Sequence, residues 1–152
     1  MRAVVQRVDK AEVRSGGRAL AKVEKGTVVF LGVERGDREA DAEYLAEKIS
    51  HLRIFEDELG KMDLSLSDIG GDMLVVSQFT LLGNCRKGRR PSFTTAETPR
   101  RAKELYRYFI GLAKENVRNV AEGEFQAEMS VQLTNDGPVT LILDSRRDLC
   151  EA

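Results

Sequence analysis

The chain has 152 residues, with 24 basic side chains against 25 acidic ones and a formal net charge of −1. That length suits one domain with a core of its own, and the charge excludes a generally basic nucleic-acid binder. Cys85 and Cys150 make no disulfide framework, no signal-like apolar stretch precedes them, and with the lone His51 they make no zinc-ligand spacing, so metal-free, cofactor-free chemistry in a reduced cytoplasmic setting is expected.

In chain order, residues 3–13 alternate and are rich in valine, Gly16-Gly17 marks a turn, and 19–23 reads as the returning strand of a hairpin. After Lys25-Gly26, residues 27–33 form a nearly continuous apolar run, the pattern of a buried strand. From Asp37 the period changes. Ala42, Leu45, Ala46, Ile49 and Leu52 recur at helical spacing, with Asp37 as the expected N-cap and His51 in the last turn, where an imidazole commonly complements the helix end. Arg53-Ile54-Phe55 returns to extended chain, and 56–71 is a turn-rich polar connection.

Residues 74–81 are the most apolar run, and their β-branching and the preceding Gly70-Gly71 predict a buried strand. Ser77, Gln78 and Thr80 interrupt it near its end. Burying such groups without partners costs roughly 1–3 kcal/mol each, so they are expected to line a ligand, a partner or a wet cleft. Period two places Gln78 and Thr80 on one face, with Ser77 and Phe79 on the other. Thr80 could be a nucleophile, but no activating base is evident, and a hydroxyl without a base is more often a binding group.

Residues 83–93 have no apolar period and carry Arg86, Lys87, Arg89 and Arg90 around Gly88, beside Phe93: a loop suited to phosphates next to a stacking surface, or simply a solvated face. Thr98-Pro99 opens a second helix, with Ala102, Leu105, Tyr106, Phe109 and Ala113 as its buried stripe. Arg100 and Arg101 oppose the dipole at its start, which suggests an anionic ligand nearby. A connection through Gly123 leads to a half-buried strand at 129–134, a dense turn signal in Asn135-Asp136-Gly137-Pro138, and a last strand at 139–143. The expected fold is α+β: one domain over residues 1–152, a largely antiparallel, curled or barrel-like sheet with two flanking helices. No run approaches the roughly 20 apolar residues of a membrane-spanning helix, so no membrane partner is expected.

The motifs Ser77-Gln78-Phe79-Thr80-Leu81 and Asn135-Asp136-Gly137-Pro138-Val139-Thr140, together with Met1-Arg2-Ala3-Val4-Val5-Gln6-Arg7-Val8, Gly60-Lys61-Met62 and the segment from Arg86 to Phe93, make the chain resemble the D-aminoacyl-tRNA deacylases from end to end. It departs from their pattern at Leu82-Gly83-Asn84-Cys85. The resemblance implies a homodimer that hydrolyses the ester of D-aminoacyl-tRNA, with the site at the interface. It implies a cis Gly137-Pro138 bond that excludes L side chains and admits glycine, braced by Arg7. Ser77, Gln78, Phe79 and Thr80 would line the aminoacyl and adenosine pocket, with Met129 beside the base, and Arg86, Lys87, Arg89 and Arg90 would contact tRNA. The chemistry would be assisted by the ribose 2′-hydroxyl, with Thr80 as the rival nucleophile. An esterase of small substrates and a non-catalytic nucleic-acid binder are the alternatives.

Overall fold

A computed structural model describes the backbone of residues 1–150 and the side chains of 1–147, so the side chain of Cys150 lies outside the described residues. The fold is organised on β1 (Arg2–Ser15), a strand long enough to serve three neighbours. Along one edge its first half pairs antiparallel with β3 (Gly26–Gly32), from Arg2↔Gly32 to Val8↔Gly26. Its second half pairs with β2 (Arg18–Val23), from Ala11↔Val23 to Ser15↔Arg18. Along the other edge it pairs with β8 (Ser130–Asp144). Beyond β3 the sheet continues in parallel through β6 (Asp72–Ser77) to β7 (Asn119–Glu122). The sheet is therefore mixed, and it curls nearly into a barrel.

Two apolar clusters hold it. On one face Val5, Val29, Leu31 and Val75 pack against Leu45 and Ile49 of α1 (Glu39–His51) and Leu105, Phe109 and Ile110 of α3 (Pro99–Asn116). Val8, Val13, Val28, Leu74 and Val76 form the second cluster. Strand β6 contributes to both, which is why its sequence reads as a continuous apolar run rather than an alternation. Truncating a core aromatic such as Phe109, which is fully buried, to alanine would cost about 3–5 kcal/mol.

Several boundaries differ from the sequence expectation. α1 starts after Arg38, whose backbone N–H is taken by the Asp41 carboxylate at 2.8 Å; Asp37 is not its N-cap. Asp37 is instead buried, accepting from the Glu34 backbone N–H at 2.6 Å and pairing with the Met1 amino group at 2.9 Å and Arg146 Nε at 3.0 Å. The polar connection contains a small hairpin, β4 (Phe55–Glu56) with β5 (Met62–Leu64), and the short α2 (Leu66–Ile69) capped by Ser65. A fourth helix, α4 (Ser145–Cys150), follows β8 directly.

The expected turn at Asn135-Asp136-Gly137-Pro138 is absent, and the two strands flanking it are one bent strand. β8 runs through with register shifts against β1 between Gln6 and Val8 and between Val8 and Lys10. Gly137 absorbs the extra length at φ +106°, and the Asn135 amide donates to the carbonyls of Arg7 (2.8 Å) and Val139 (3.0 Å) where the ladder is interrupted. A bulge with its own side-chain bonds thus carries the residues that in sequence look like a hairpin.

Candidate active site

The strand expected over 74–81 stops at Ser77. Gln78 leaves the β-region at φ −144°, ψ 80°, and Phe79–Leu82 forms one turn of 3₁₀-helix. The turn is tied at its start by the Gln78 backbone N–H donating to the Leu31 carbonyl at 2.8 Å, and within itself by Leu81 N–H to Gln78 C=O (3.2 Å) and Gly83 N–H to Thr80 C=O (3.0 Å). Gly32 makes the close approach possible, since a Cβ there would lie 2.9 Å from the Gln78 carbonyl oxygen. The strict two-residue alternation expected here is lost. Gln78 and Thr80 nevertheless meet, because the turn brings the Gln78 side-chain amide to the Thr80 hydroxyl as its donor.

Ser77, Gln78 and Phe79 line a cavity of about 510 Å³ whose other walls include Leu31 of β3, Val33 just after it, Ala102 and Tyr106 of α3, and the segment from Phe125 to Met129. Thr80 is exposed beside this pocket and is not among its lining residues. Phe79, 59% exposed, meets Phe93 edge-on with ring centroids 5.3 Å apart. Met129 reaches the pocket because Gly123 has no Cβ; one there would lie 2.6 Å from the Met129 sulfur. Tyr106 donates its hydroxyl to the Val75 carbonyl at 3.0 Å, and burial pushes its phenol well above the ordinary range, so it stays neutral. The Glu97 carboxyl at the rim is held below its usual range by the Thr98 backbone N–H at 2.6 Å, so it stays charged and committed to the helix start.

Arg7, Gly137 and Pro138 lie outside this pocket. Arg7 is 5% exposed; its Nη1 donates to the Ile54 carbonyl at 2.6 Å and its Nε to the Asp136 carbonyl at 3.2 Å, with the Asp136 carboxylate 3.0 Å away. No cis peptide bond occurs among the described residues, so the Gly137-Pro138 bond is trans, against the expectation. The positive φ of Gly137 and the bulge beneath it already redirect the chain here, and trans is the lower-energy form of an X–Pro bond.

The basic loop is closed at its base by paired backbone bonds between Asn84 and Ser92 (2.7 and 3.0 Å), with Gly88 at φ +68° near its tip. Arg86, Lys87, Arg89 and Arg90 are exposed there, and among the described residues none of the four forms an ion pair. Arg101 does not need the anionic ligand expected of it, because it pairs with Glu39 at 2.9 Å and Glu104 at 3.3 Å, while Arg100 reaches Glu104 at 3.5 Å. Among the described residues there is no group of metal-ligating side chains and no helix long and apolar enough to cross a membrane.

Sequence reasoning missed Tyr106, Phe125 and Ala102 as pocket walls. Tyr106 and Ala102 read as core stripe, and they are; the pocket is cut into the edge of that core. In the 123–129 wall the family resemblance points to Met129, whereas Phe125, in a segment without period, carries no signal of its own.

A nearly closed mixed sheet backed by helices, with a largely apolar pocket at the end of a buried strand and a neutral, hydrogen-bonded tyrosine in its wall, defines an α+β protein suited to holding and orienting a ligand. The model of the D-Tyr-tRNA(Tyr) deacylase family matches residues 4–144, and the chain belongs to that family. It is 63% identical over 147 residues to the D-aminoacyl-tRNA deacylase of Syntrophus aciditrophicus, covering 97% of this chain and 99% of that protein. To the D-aminoacyl-tRNA deacylase of Thermosipho melanesiensis it is 57% identical over 148 residues, with coverage of 97% and 99%. Among solved structures, the c-Myc DNA Unwinding Element Binding Protein superposes with a TM-score of 0.90 at 39% identity, over 95% of this chain and 98% of that one. A probable eukaryotic D-amino acid tRNA deacylase superposes with a TM-score of 0.80 at 17% identity, over 93% and 97%, a likeness of fold alone.

Proposed function

We propose that this protein hydrolyses the ester that joins a D-amino acid to the 3′ end of tRNA, adding water to release the amino acid and the free tRNA. The observation that carries the reading is the near-complete coverage by deacylases of 57–63% identity, joined to a pocket that can orient an ester but offers no free acid or base. The Thr80 hydroxyl is partnered by an amide, which cannot take up a proton, so Thr80 positions the substrate and the neighbouring ribose 2′-hydroxyl assists the chemistry. The terminal base stacks near Phe79 and Met129, and Arg86, Lys87, Arg89 and Arg90 hold tRNA phosphates. The working form is a cytoplasmic homodimer. In support, Val4 and Gln6 face Ile142 and Thr140 across β1 and β8, and Ile142 is 75% exposed on that sheet face. Gly137 and Pro138 of one subunit complete the pocket of the other. They exclude L residues by main-chain contact and admit glycine for want of a Cβ.

A second reading, binding to nucleic acid without hydrolysis, is favoured by the exposed basic loop and by the 39% identity to the c-Myc DNA Unwinding Element Binding Protein. Incubation with D-tyrosyl-tRNA, L-tyrosyl-tRNA and the free ethyl ester of D-tyrosine separates the possibilities. Release from the D-tRNA ester alone supports the deacylase. Comparable release from the free ester would point to a general esterase. Binding of nucleic acid without any release would leave the second reading.

A further inference from the structure

A helical turn of four residues has too few internal bonds to stay formed alone, because nucleating a helix fixes several residues for one hydrogen bond. Its last carbonyls also lack partners within the helix. In the turn Phe79–Leu82 the Leu81 carbonyl oxygen accepts from Nη1 of Arg2 at 2.8 Å. The other edge of the same guanidinium donates to Asp144 Oδ2, from Nε at 3.1 Å and Nη2 at 3.0 Å. We infer that Arg2, aimed by Asp144, is a positioning residue for the proposed hydrolysis: it clamps the C-terminal end of the turn that carries Phe79 and Thr80.

Register explains why these residues can do it. Arg2 pairs with Gly32 on one side and Asp144 on the other, so one rung across β3, β1 and β8 meets the turn at both ends. Gly32 leaves the space into which the Gln78 carbonyl settles, 2.9 Å from where a Cβ would stand. Arg2 closes the far end. A cation at the C-terminal end of a helical turn also opposes the partial negative charge there. The Arg2 and Asp144 side chains are 32% and 17% exposed, so the ion pair alone would contribute little; its effect lies in fixing which way the fork points. Neither residue lines the pocket, and the clamp therefore acts on catalysis only through Phe79 and Thr80.

The functional part of this inference rests on the deacylase reading, and the test separates the two. Arg2→Gln, Arg2→Lys, Asp144→Asn and the double variant Arg2→Gln/Asp144→Asn are compared with the wild type for turnover of D-tyrosyl-tRNA, affinity for uncharged tRNA, Tm, and amide exchange at Leu81 and Gly83. Losing a charge-assisted hydrogen bond should lower kcat and speed exchange at these two amides by about ten-fold in Arg2→Gln. Affinity for tRNA and exchange at Val75 and Val76 should not change. Lysine, which lacks the fork, should recover part of the loss, and the double variant should be no worse than Arg2→Gln because one clamp is broken once. Unchanged exchange at Leu81 and Gly83 would overturn the clamp. Faster exchange with unchanged kcat, or a loss of kcat that merely follows Tm or tRNA affinity, would overturn the positioning role. A wild type inert toward D-tyrosyl-tRNA would sink the deacylase reading and with it that role, while exchange would still decide the clamp.

Discussion

Nη2 of Arg7 stands where a Cβ on Gly137 would have to go. Gly137 also holds φ +106°, a region that residues with a Cβ enter only at a cost of about 1–3 kcal/mol. Gly137→Ala must therefore both strain the backbone and displace a guanidinium that is hydrogen-bonded to the Ile54 and Asp136 carbonyls. The combined loss should be at least about 2 kcal/mol in urea unfolding. An alanine variant as stable as the wild type would contradict this account of the bulge.

Ile142 tests the dimer. It is 75% exposed in the single chain, so Ile142→Glu should leave the fold intact; in a sheet-face interface it would bury a charge. Sedimentation should find the wild type dimeric at assay concentrations and the variant monomeric and inactive toward D-tyrosyl-tRNA. A fully active monomer would remove the reason for placing Gly137 and Pro138 in the partner's site.

The loop tip tests the contact with tRNA. Arg89 and Arg90 are exposed and unpaired, so changing both to glutamine should alter stability by less than about 0.5 kcal/mol. Each lost phosphate contact should lower the slope of log affinity against log salt by about 0.7–0.9. An unchanged slope would make the loop a solvated face.

Asp41 gives the pH dependence. Burial opposes its ionisation, but the Ser145 hydroxyl at 2.6 Å, the Arg38 backbone N–H, and the charges of the Met1 amino group and Arg146 outweigh burial and hold its carboxyl below the ordinary range. A folded-state pKa depressed below the unfolded one means that this stabilisation is complete above the ordinary aspartate value of about 3.9 and is lost as pH falls through the folded value. The urea midpoints of wild type and Asp41→Asn should therefore differ by a constant amount between about pH 5 and 7 and converge below about pH 4. A gap that widened on acidification would reverse the sign.

The periodic elements were legible in the sequence for a simple reason. The spacing of Leu105, Phe109 and Ala113, and the unbroken run from Met73 to Val76, record burial that neighbours impose residue by residue. What stayed hidden depends on contacts far apart in the chain. Asn135-Asp136-Gly137-Pro138 has the chemistry of a turn, but Arg7 and the long β1 beneath it hold the segment inside a strand. Likewise nothing near Thr80 reveals that Arg2 would take the Leu81 carbonyl, or that Gly32 would let the chain turn at Gln78. Of the site, Ser77, Gln78 and Phe79 were signalled by polar residues in an apolar run, whereas Tyr106 was not, because a buried tyrosine that closes a core and one that walls a pocket have the same spacing.

Whether main chain at Gly137-Pro138 rejects L residues by exclusion, as proposed, can be read from deacylation of D-alanyl-, glycyl- and L-alanyl-tRNA at saturating enzyme. A filter that works by colliding with a Cβ has nothing to strike on glycine. Rapid release is expected from D-alanyl-tRNA and glycyl-tRNA, and none above background from L-alanyl-tRNA. Refusal of glycyl-tRNA as firm as that of L-alanyl-tRNA would mean that the pocket recognises the D side chain positively, and would contradict rejection by exclusion.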